Sequence, residues 1–152
     1  MSDSAAPGQK LHHIGFVVAS ISQAVERFAA FTGGSWDGRV FHDPVQTVRV
    51  TFIHPSSPLD PLIELVEPVG ADSRVSSFLK RGGGLHHLCY EVEELEAHLA
   101  HNRSLGGLIV QPPAPAVAYD GRRIAWVYTP DKLLLEYLES RKDGERGTQG
   151  RD

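Results

Sequence analysis

The chain repeats itself, and that restricts its fold more than any other feature. Leu11-His12-His13-Ile14-Gly15-Phe16-Val17-Val18 is answered by Leu85-His86-His87-Leu88-Cys89-Tyr90-Glu91-Val92. Pro61-Leu62-Ile63-Glu64-Leu65-Val66-Glu67-Pro68 is answered by Leu133-Leu134-Leu135-Glu136-Tyr137-Leu138-Glu139-Ser140. Both matches recur after about 70 residues, which marks a duplicated module rather than chance similarity. Two copies are too few to stack as a solenoid, so they must share a core. The 152 residues, 41 % of them apolar, suit one domain built from the pair.

Each copy carries the same succession of elements. In the first, 11–19 reads as a strand and 20–32 as a helix with Ile21, Ala24, Val25, Phe28 and Phe31 on one face. Ser20 and Gln23 form a capping box, and Gly33-Gly34 ends the helix. Strands follow at 36–41, 47–54 and 62–67. The second copy gives a strand at 85–92 and a helix at 94–104 with Leu95 and Leu99 inward, then strands near 108–110, 123–128 and 133–138. A linker helix over 73–81 uses Val75, Phe78 and Leu79 as its apolar stripe, Lys80 and Arg81 as its closing charges, and Gly82-Gly83-Gly84 as its stop. The expected class is α+β: two tandem βαβββ modules. The expected organisation is a flexible start over 1–10, one domain over 11–140 and a flexible tail over 141–152. Within the domain, the modules are 11–68 and 85–140, and 69–84 links them.

Strand alternation then separates the histidines. His13 shares a face with Gly15 and Val17, and His87 with Cys89. His12 and His86 fall with bulky neighbours, the face expected to pack on the helices. Glu64 and Glu136 each sit between apolar residues, where a buried carboxylate is costly without a compensating charge. Taken singly, a strand histidine is an ordinary core residue, and such a glutamate can point to water. Taken as equivalent pairs, His13, Glu64, His87 and Glu136 can converge on one divalent metal ion across a pseudo-twofold axis. Imidazole and carboxylate suit Co, Mn, Ni, Zn or Fe, with two positions left for water or substrate.

Charge and composition narrow the partners. Net charge is −4 with both signs interspersed, which speaks against nucleic acid. One cysteine, Cys89, excludes an internal disulfide and fits a reducing compartment. No signal-peptide core and no apolar run near the roughly 20 residues of a membrane helix is present, so a cytoplasmic protein without a membrane partner is expected.

These residues bring a family into view. The stretches HHIGFVV (12–18), IELVEP (63–68), SSFLKRGGGLHHLCYEV (76–92) and LLEYLE (134–139) resemble the vicinal oxygen chelate superfamily, most of all its methylmalonyl-CoA epimerase branch. The resemblance implies that the two modules form a curved mixed sheet, a cup around a metal site, and it implies the same four ligands, His13, Glu64, His87 and Glu136. It also implies a small-molecule substrate, an acyl thioester among the candidates, whose proton next to the carbonyl is removed through a metal-stabilised enolate. Glu136 is the expected proton carrier and Glu64 its counterpart. The resemblance is broken at Val50, where many epimerases carry a further Glu. It is broken again in the loop from Ala116 to Lys132. A glyoxalase-type lyase, or a tailoring enzyme of a sugar or secondary-metabolite pathway, therefore stands as the alternative. A non-catalytic, resistance-type binding protein is the third reading, and a homodimer is the expected assembly. Gln46, Tyr119 and Arg123 are the candidate substrate contacts, with Arg122 an equal candidate for an anion. Trp36 and Trp126 read as packing residues.

Overall fold

The computed structural model describes residues 8–141. The flexible ends expected over 1–10 and 141–152 fall mostly outside the described residues. Where they overlap, Gln9 and Lys10 already belong to the first strand.

The order of elements matches the duplicated pattern. Module one contributes β1 (Gln9–Val17), α1 (Ile21–Thr32), β2 (Ser35–Asp43), β3 (Val48–His54) and β4 (Leu62–Pro68). A five-residue helix α2 (Ser76–Lys80) follows. Module two contributes β5 (Gly84–Val92), α3 (Leu95–Ser104), β6 (Leu108–Pro115), β7 (Arg123–Tyr128) and β8 (Leu134–Glu139). All eight strands form one curved, unclosed sheet in the order β2-β3-β4-β1-β5-β8-β7-β6. Each module is a four-stranded half-sheet, with β1 parallel to β4 and β5 parallel to β8. The two half-sheets are joined by strand pairing where β1 runs antiparallel to β5.

Local chemistry sets these boundaries. Ser20 caps α1 by accepting from the Gln23 N–H at 3.3 Å, and Gly33 takes the left-handed conformation (φ 70°) that ends it. Ile21, Ala24 and Val25 bury against Ile53 and Leu65 on one face of the sheet. Phe31 does not join them and is 89 % exposed, because the cluster under α1 ends at Phe28 and Ala29. In module two, Leu95 and Leu99 pack on Ala125, Val127, Leu135 and Tyr137 in the equivalent way. The linker helix is shorter than its stripe suggests, although Val75 is buried just before it. Gly82, Gly83 and Gly84 all have positive φ, a path for which glycine is the natural residue. β6 runs to Pro115 rather than to about residue 110 and carries Pro112, Pro113 and Pro115, tolerated because it is an edge strand. A 3-10 turn, Val117–Tyr119, follows it.

The seam between β1 and β5 carries two irregularities that the sequence conceals. Leu11 pairs with Tyr90 and His13 with Cys89, so His12 is an extra residue on β1. Gly15 pairs with His87 and Phe16 with Leu85, so His86 is an extra residue on β5. These are two β-bulges, one on each strand, and bulges re-aim side chains.

Candidate metal centre

The face of the sheet opposite α1 and α3 carries His13, Glu64, His87 and Glu136, and all four are buried. The register explains why they meet. Gly15 on β1 lies beside both His87 on β5 and Glu64 on β4, while Cys89 on β5 lies beside both His13 and Glu136 on β8. Each histidine therefore faces the small residue of the other module. A Cβ at Gly15 would overlap the His87 ring. Gly15→Ala is expected to destabilise the fold by about 1–3 kcal/mol through overpacking, read from the denaturant midpoint. A midpoint equal to the parent's would mean that the ring is free to move aside.

The four groups aim at one point. His13 Nε2 lies 3.2 Å from His87 Nε2 and 3.1 Å from Glu136 Oε1. Glu64 places Oε2 3.7 Å from His13 Nε2 and Oε1 3.4 Å from His87 Nε2. His87 Nε2 and Glu136 Oε1 are 3.8 Å apart. Despite this crowding, Glu136 Oε1 makes no hydrogen bond of acceptable geometry and has no access to solvent. Ligand atoms bonded at about 2.1 Å to one ion at right angles lie roughly 3 Å apart, which is the spacing of the two Nε2 atoms and of the His13–Glu136 pair. Two buried carboxylates, two converging imidazole nitrogens and an orphaned oxygen fit a divalent cation; His13, His87 and Glu136 also form a compact potential ligand group.

Burial governs the electrostatics. It lowers the pKa of His13 to about 4, Glu64 raising it and His87 lowering it further. Burial and their neighbouring ligand histidines likewise lower His12 and His86 to about 4. Burial alone would lower His87, but its hydrogen bond to Glu64 and the fields of Glu64 and Glu136 outweigh that and raise it. Burial raises Glu136, against a smaller lowering by His87. It also raises the Cys89 thiol well above its usual range, which keeps it protonated and leaves no thiolate nucleophile.

Above the cluster lies a cavity of about 240 Å³. Its walls are apolar, Val48, Val50, Val66 and Ile124 among them, and Asp43, Gln46, Arg74 and Gln111 also line it. The Arg74 guanidinium donates to Gln111 Oε1 at 2.9 Å, and the Gln46 amide donates to the same atom at 3.4 Å. Ala118 and Tyr119 line this cavity and also a second cleft holding His12, Glu91 and Arg122.

The secondary candidates fare differently. Gln46 lines the cavity. Tyr119 is buried in the site: its hydroxyl donates to Glu64 Oε2 at 3.2 Å and lies 3.4 Å from His13 Nδ1. Burial holds that phenol well above its normal pKa, so it remains a donor. Arg123 is not in the site. It bonds Glu139 at 2.7 and 3.1 Å and pairs with Glu96 at 2.7 Å. Its neighbour Arg122 turns the other way, into the second cleft, with its guanidinium 5.9 Å from the Tyr119 ring. His12 and His86 are not packed beneath the helices α1 and α3. The bulges bring them to the site face, where His12 lies against Tyr119 and His86 lines the cavity.

Of two aromatic residues of the site, the sequence reading took Trp126 only for packing and passed over Phe52. Trp126 pairs with Glu136, and its ring centroid lies 4.7 Å from that of His87. Phe52 pairs with Glu64, and its ring centroid lies 5.8 Å from that of His13. They occupy equivalent places in the two modules, so the repeat held the signal: the aromatic residue opposite one glutamate predicts the other.

The comparisons with known proteins agree with this fold. A family model described as the glyoxalase/bleomycin resistance protein/dioxygenase superfamily matches residues 12–126. The chain belongs to this superfamily. Within it, the chain is 28 % identical over 125 residues to an ethylmalonyl-CoA/methylmalonyl-CoA epimerase of Cereibacter sphaeroides, covering 80 % of this chain and 90 % of that one. The solved methylmalonyl-CoA epimerase of Mycobacterium tuberculosis superposes with a TM-score of 0.75 at 26 % identity, covering 90 % of this chain and 91 % of that one. That of Streptomyces coelicolor, a single-site variant solved with 2-nitronate-propionyl-CoA, superposes at 0.74 and 25 % identity, covering 88 % of this chain and 98 % of that one. The superfamily fold is thus shared over nearly the whole described chain, and the relatives support an enzyme of the epimerase kind. No helix among the described residues is long and apolar enough to cross a membrane.

Proposed function

We propose that the chain is a divalent-metal-dependent epimerase that moves the proton next to the carbonyl of an acyl thioester. The convergence of His13, Glu64, His87 and Glu136, the last three of which line an apolar-walled cavity, carries this reading. When bound there, the ion supplies Lewis acidity toward two neighbouring substrate oxygens and so favours the enolate over the parent thioester. The two modules act as one unit over residues 11–140, since each gives one histidine and one glutamate.

The two glutamates are not equivalent. Burial raises the Glu136 carboxyl when no ion is bound, and a bound cation acts against that shift. Glu64 is tied to the Tyr119 hydroxyl, whereas no hydrogen bond anchors Glu136 Oε1, so Glu136 is the ligand freer to swing off the ion and take up a proton. Glu136 therefore takes the proton from one face. The opposite face is served by Glu64 of module one, which accepts a hydrogen bond from Tyr119 of module two. The wall at Val50 is apolar, so β3 contributes no carboxylate. A cavity of about 240 Å³ is smaller than those that enclose a drug-sized ligand. An acyl group suits it better than a nucleotide, so the bulk of a thioester carrier lies outside, with Arg74 on the cavity wall.

The direct test is incubation of the metal-loaded protein with methylmalonyl-CoA in deuterium oxide. Deuterium should enter at the carbon between the two carbonyls, read by mass spectrometry. Absence of exchange with this and other 2-substituted acyl thioesters would overturn the epimerase reading in favour of a lyase.

A further inference from the structure

The bulges at His12 and His86 raise a question that the four ligands leave open. Each places a second imidazole against a ligand imidazole, in both halves of the molecule. His12 Nδ1 lies 2.8 Å from His13 Nδ1, and His86 Nδ1 lies 2.8 Å from His87 Nδ1. The rings meet edge to face, at 78° and 88°. On a regular strand, consecutive side chains point to opposite faces and such a contact could not form. The two extra residues in the β1–β5 register are what allow it.

We infer that His12 and His86 are positioning residues that accept the Nδ1 protons of His13 and His87, and so fix both ligand rings with a bare Nε2 turned toward the metal. This rests on the metal reading above. With an ion held through both Nε2 atoms, the proton count requires it. A 2.8 Å contact between two imidazole nitrogens holds one proton. If that proton belonged to His12, a neutral His13 would carry its own on Nε2 and have no lone pair for an ion. With the proton on His13 Nδ1, the Nε2 lone pair faces Glu136 and His87, where the ion would sit. The same holds for His87 and His86. Metal-bound histidines are ordinarily oriented by a carboxylate or a carbonyl. Here the acceptor is a neutral imidazole, which adds no third negative charge beside Glu64 and Glu136. Packing holds the acceptors in turn: His12 against the Tyr119 ring at 5.7 Å, and His86 against Phe78 at 4.9 Å and Trp126 at 6.3 Å.

The test compares His12→Leu and His86→Leu with His12→Asn and His86→Asn. Asparagine keeps an acceptor oxygen near the Nδ1 position; leucine keeps bulk but no acceptor. Cobalt(II) affinity is measured by competition with a chelating dye, and unfolding of each apoprotein is followed in parallel. The leucine variants should bind cobalt about 10–100-fold more weakly, and the asparagine variants should recover most of that loss. If the parent itself binds no cobalt, the metal reading fails and this inference with it. If the parent binds and the leucine variants bind as tightly, the inference alone fails. It fails equally if asparagine and leucine weaken binding to the same degree, or if the loss follows apoprotein stability rather than the acceptor.

Discussion

His87→Ala protein, purified beside the parent, should carry almost no metal. The parent should hold about one ion per chain by elemental analysis, and the variant less than roughly a tenth of that. The size of the expected loss follows from the geometry. His87 Nε2 faces His13, Glu64 and Glu136 within 3.2 to 3.8 Å, so its removal opens one side of the cluster and leaves two buried carboxylates with a single imidazole. Gly15, beside it, has no side chain with which to fill the gap. A second reading of the same experiment uses stability. A ligand present at a hundredfold over its dissociation constant stabilises the native state by about 2.7 kcal/mol, so metal should raise the parent's melting temperature and leave that of His87→Ala unchanged. By the pseudo-twofold relation His13→Ala should behave alike. Undiminished metal in either variant would remove that histidine from the ligand set.

Glu136→Gln should separate metal binding from catalysis. The amide keeps an oxygen where Oε1 now lies but cannot take up a proton. Metal content should therefore remain near that of the parent, while deuterium exchange falls by about 10²–10⁴-fold, the usual worth of a general base. Glu64→Gln should lose less, because Glu64 is held by Tyr119 and serves the opposite face. The two variants assayed side by side assign the roles. If Glu64→Gln shows the larger loss of exchange, the proton carrier is Glu64, and the hydrogen bond from Tyr119 is then part of its activation.

Much of this cluster could be read from the amino-acid sequence because duplication makes chemistry visible twice. A histidine in a strand is ordinary, but His13 and His87 at equivalent places, each followed after a similar interval by a glutamate in an apolar strand, are not. The strand period of two also picked, from each pair, the histidine whose Nε2 faces the two glutamates. It failed on the neighbours, because a β-bulge changes the count by one residue and leaves no mark in composition; His12 and His86 were therefore placed on the wrong face. Of the two arginines offered for an anion, Arg122 lines the second cleft, while Arg123 is spent on Glu139. Tyr119 was underestimated for another reason. Asp120-Gly121 is a sound turn signal, and Asp120 does adopt a left-handed conformation (φ 54°), but nothing local says that the preceding ring turns inward to Glu64. Phe31 fits the helical period and is nonetheless exposed, since periodicity reports direction and not how far the underlying sheet extends.

An open sheet exposes two rows of backbone groups to any strand that approaches, its own copies included, and this one handles them differently. At one margin, Pro112, Pro113 and Pro115 leave three of the eight residues of β6 without an N–H to offer. At the other, the pairing of β2 with β3 is interrupted between Trp36 and Val40, where Gly38 has φ 82° and Asp37 and Arg39 bring charge. Neither margin offers a long, flat template for cross-β growth. A chain that must keep an open, apolar-walled cup for its substrate is thereby guarded against edge-to-edge aggregation, the hazard that an unclosed sheet otherwise carries.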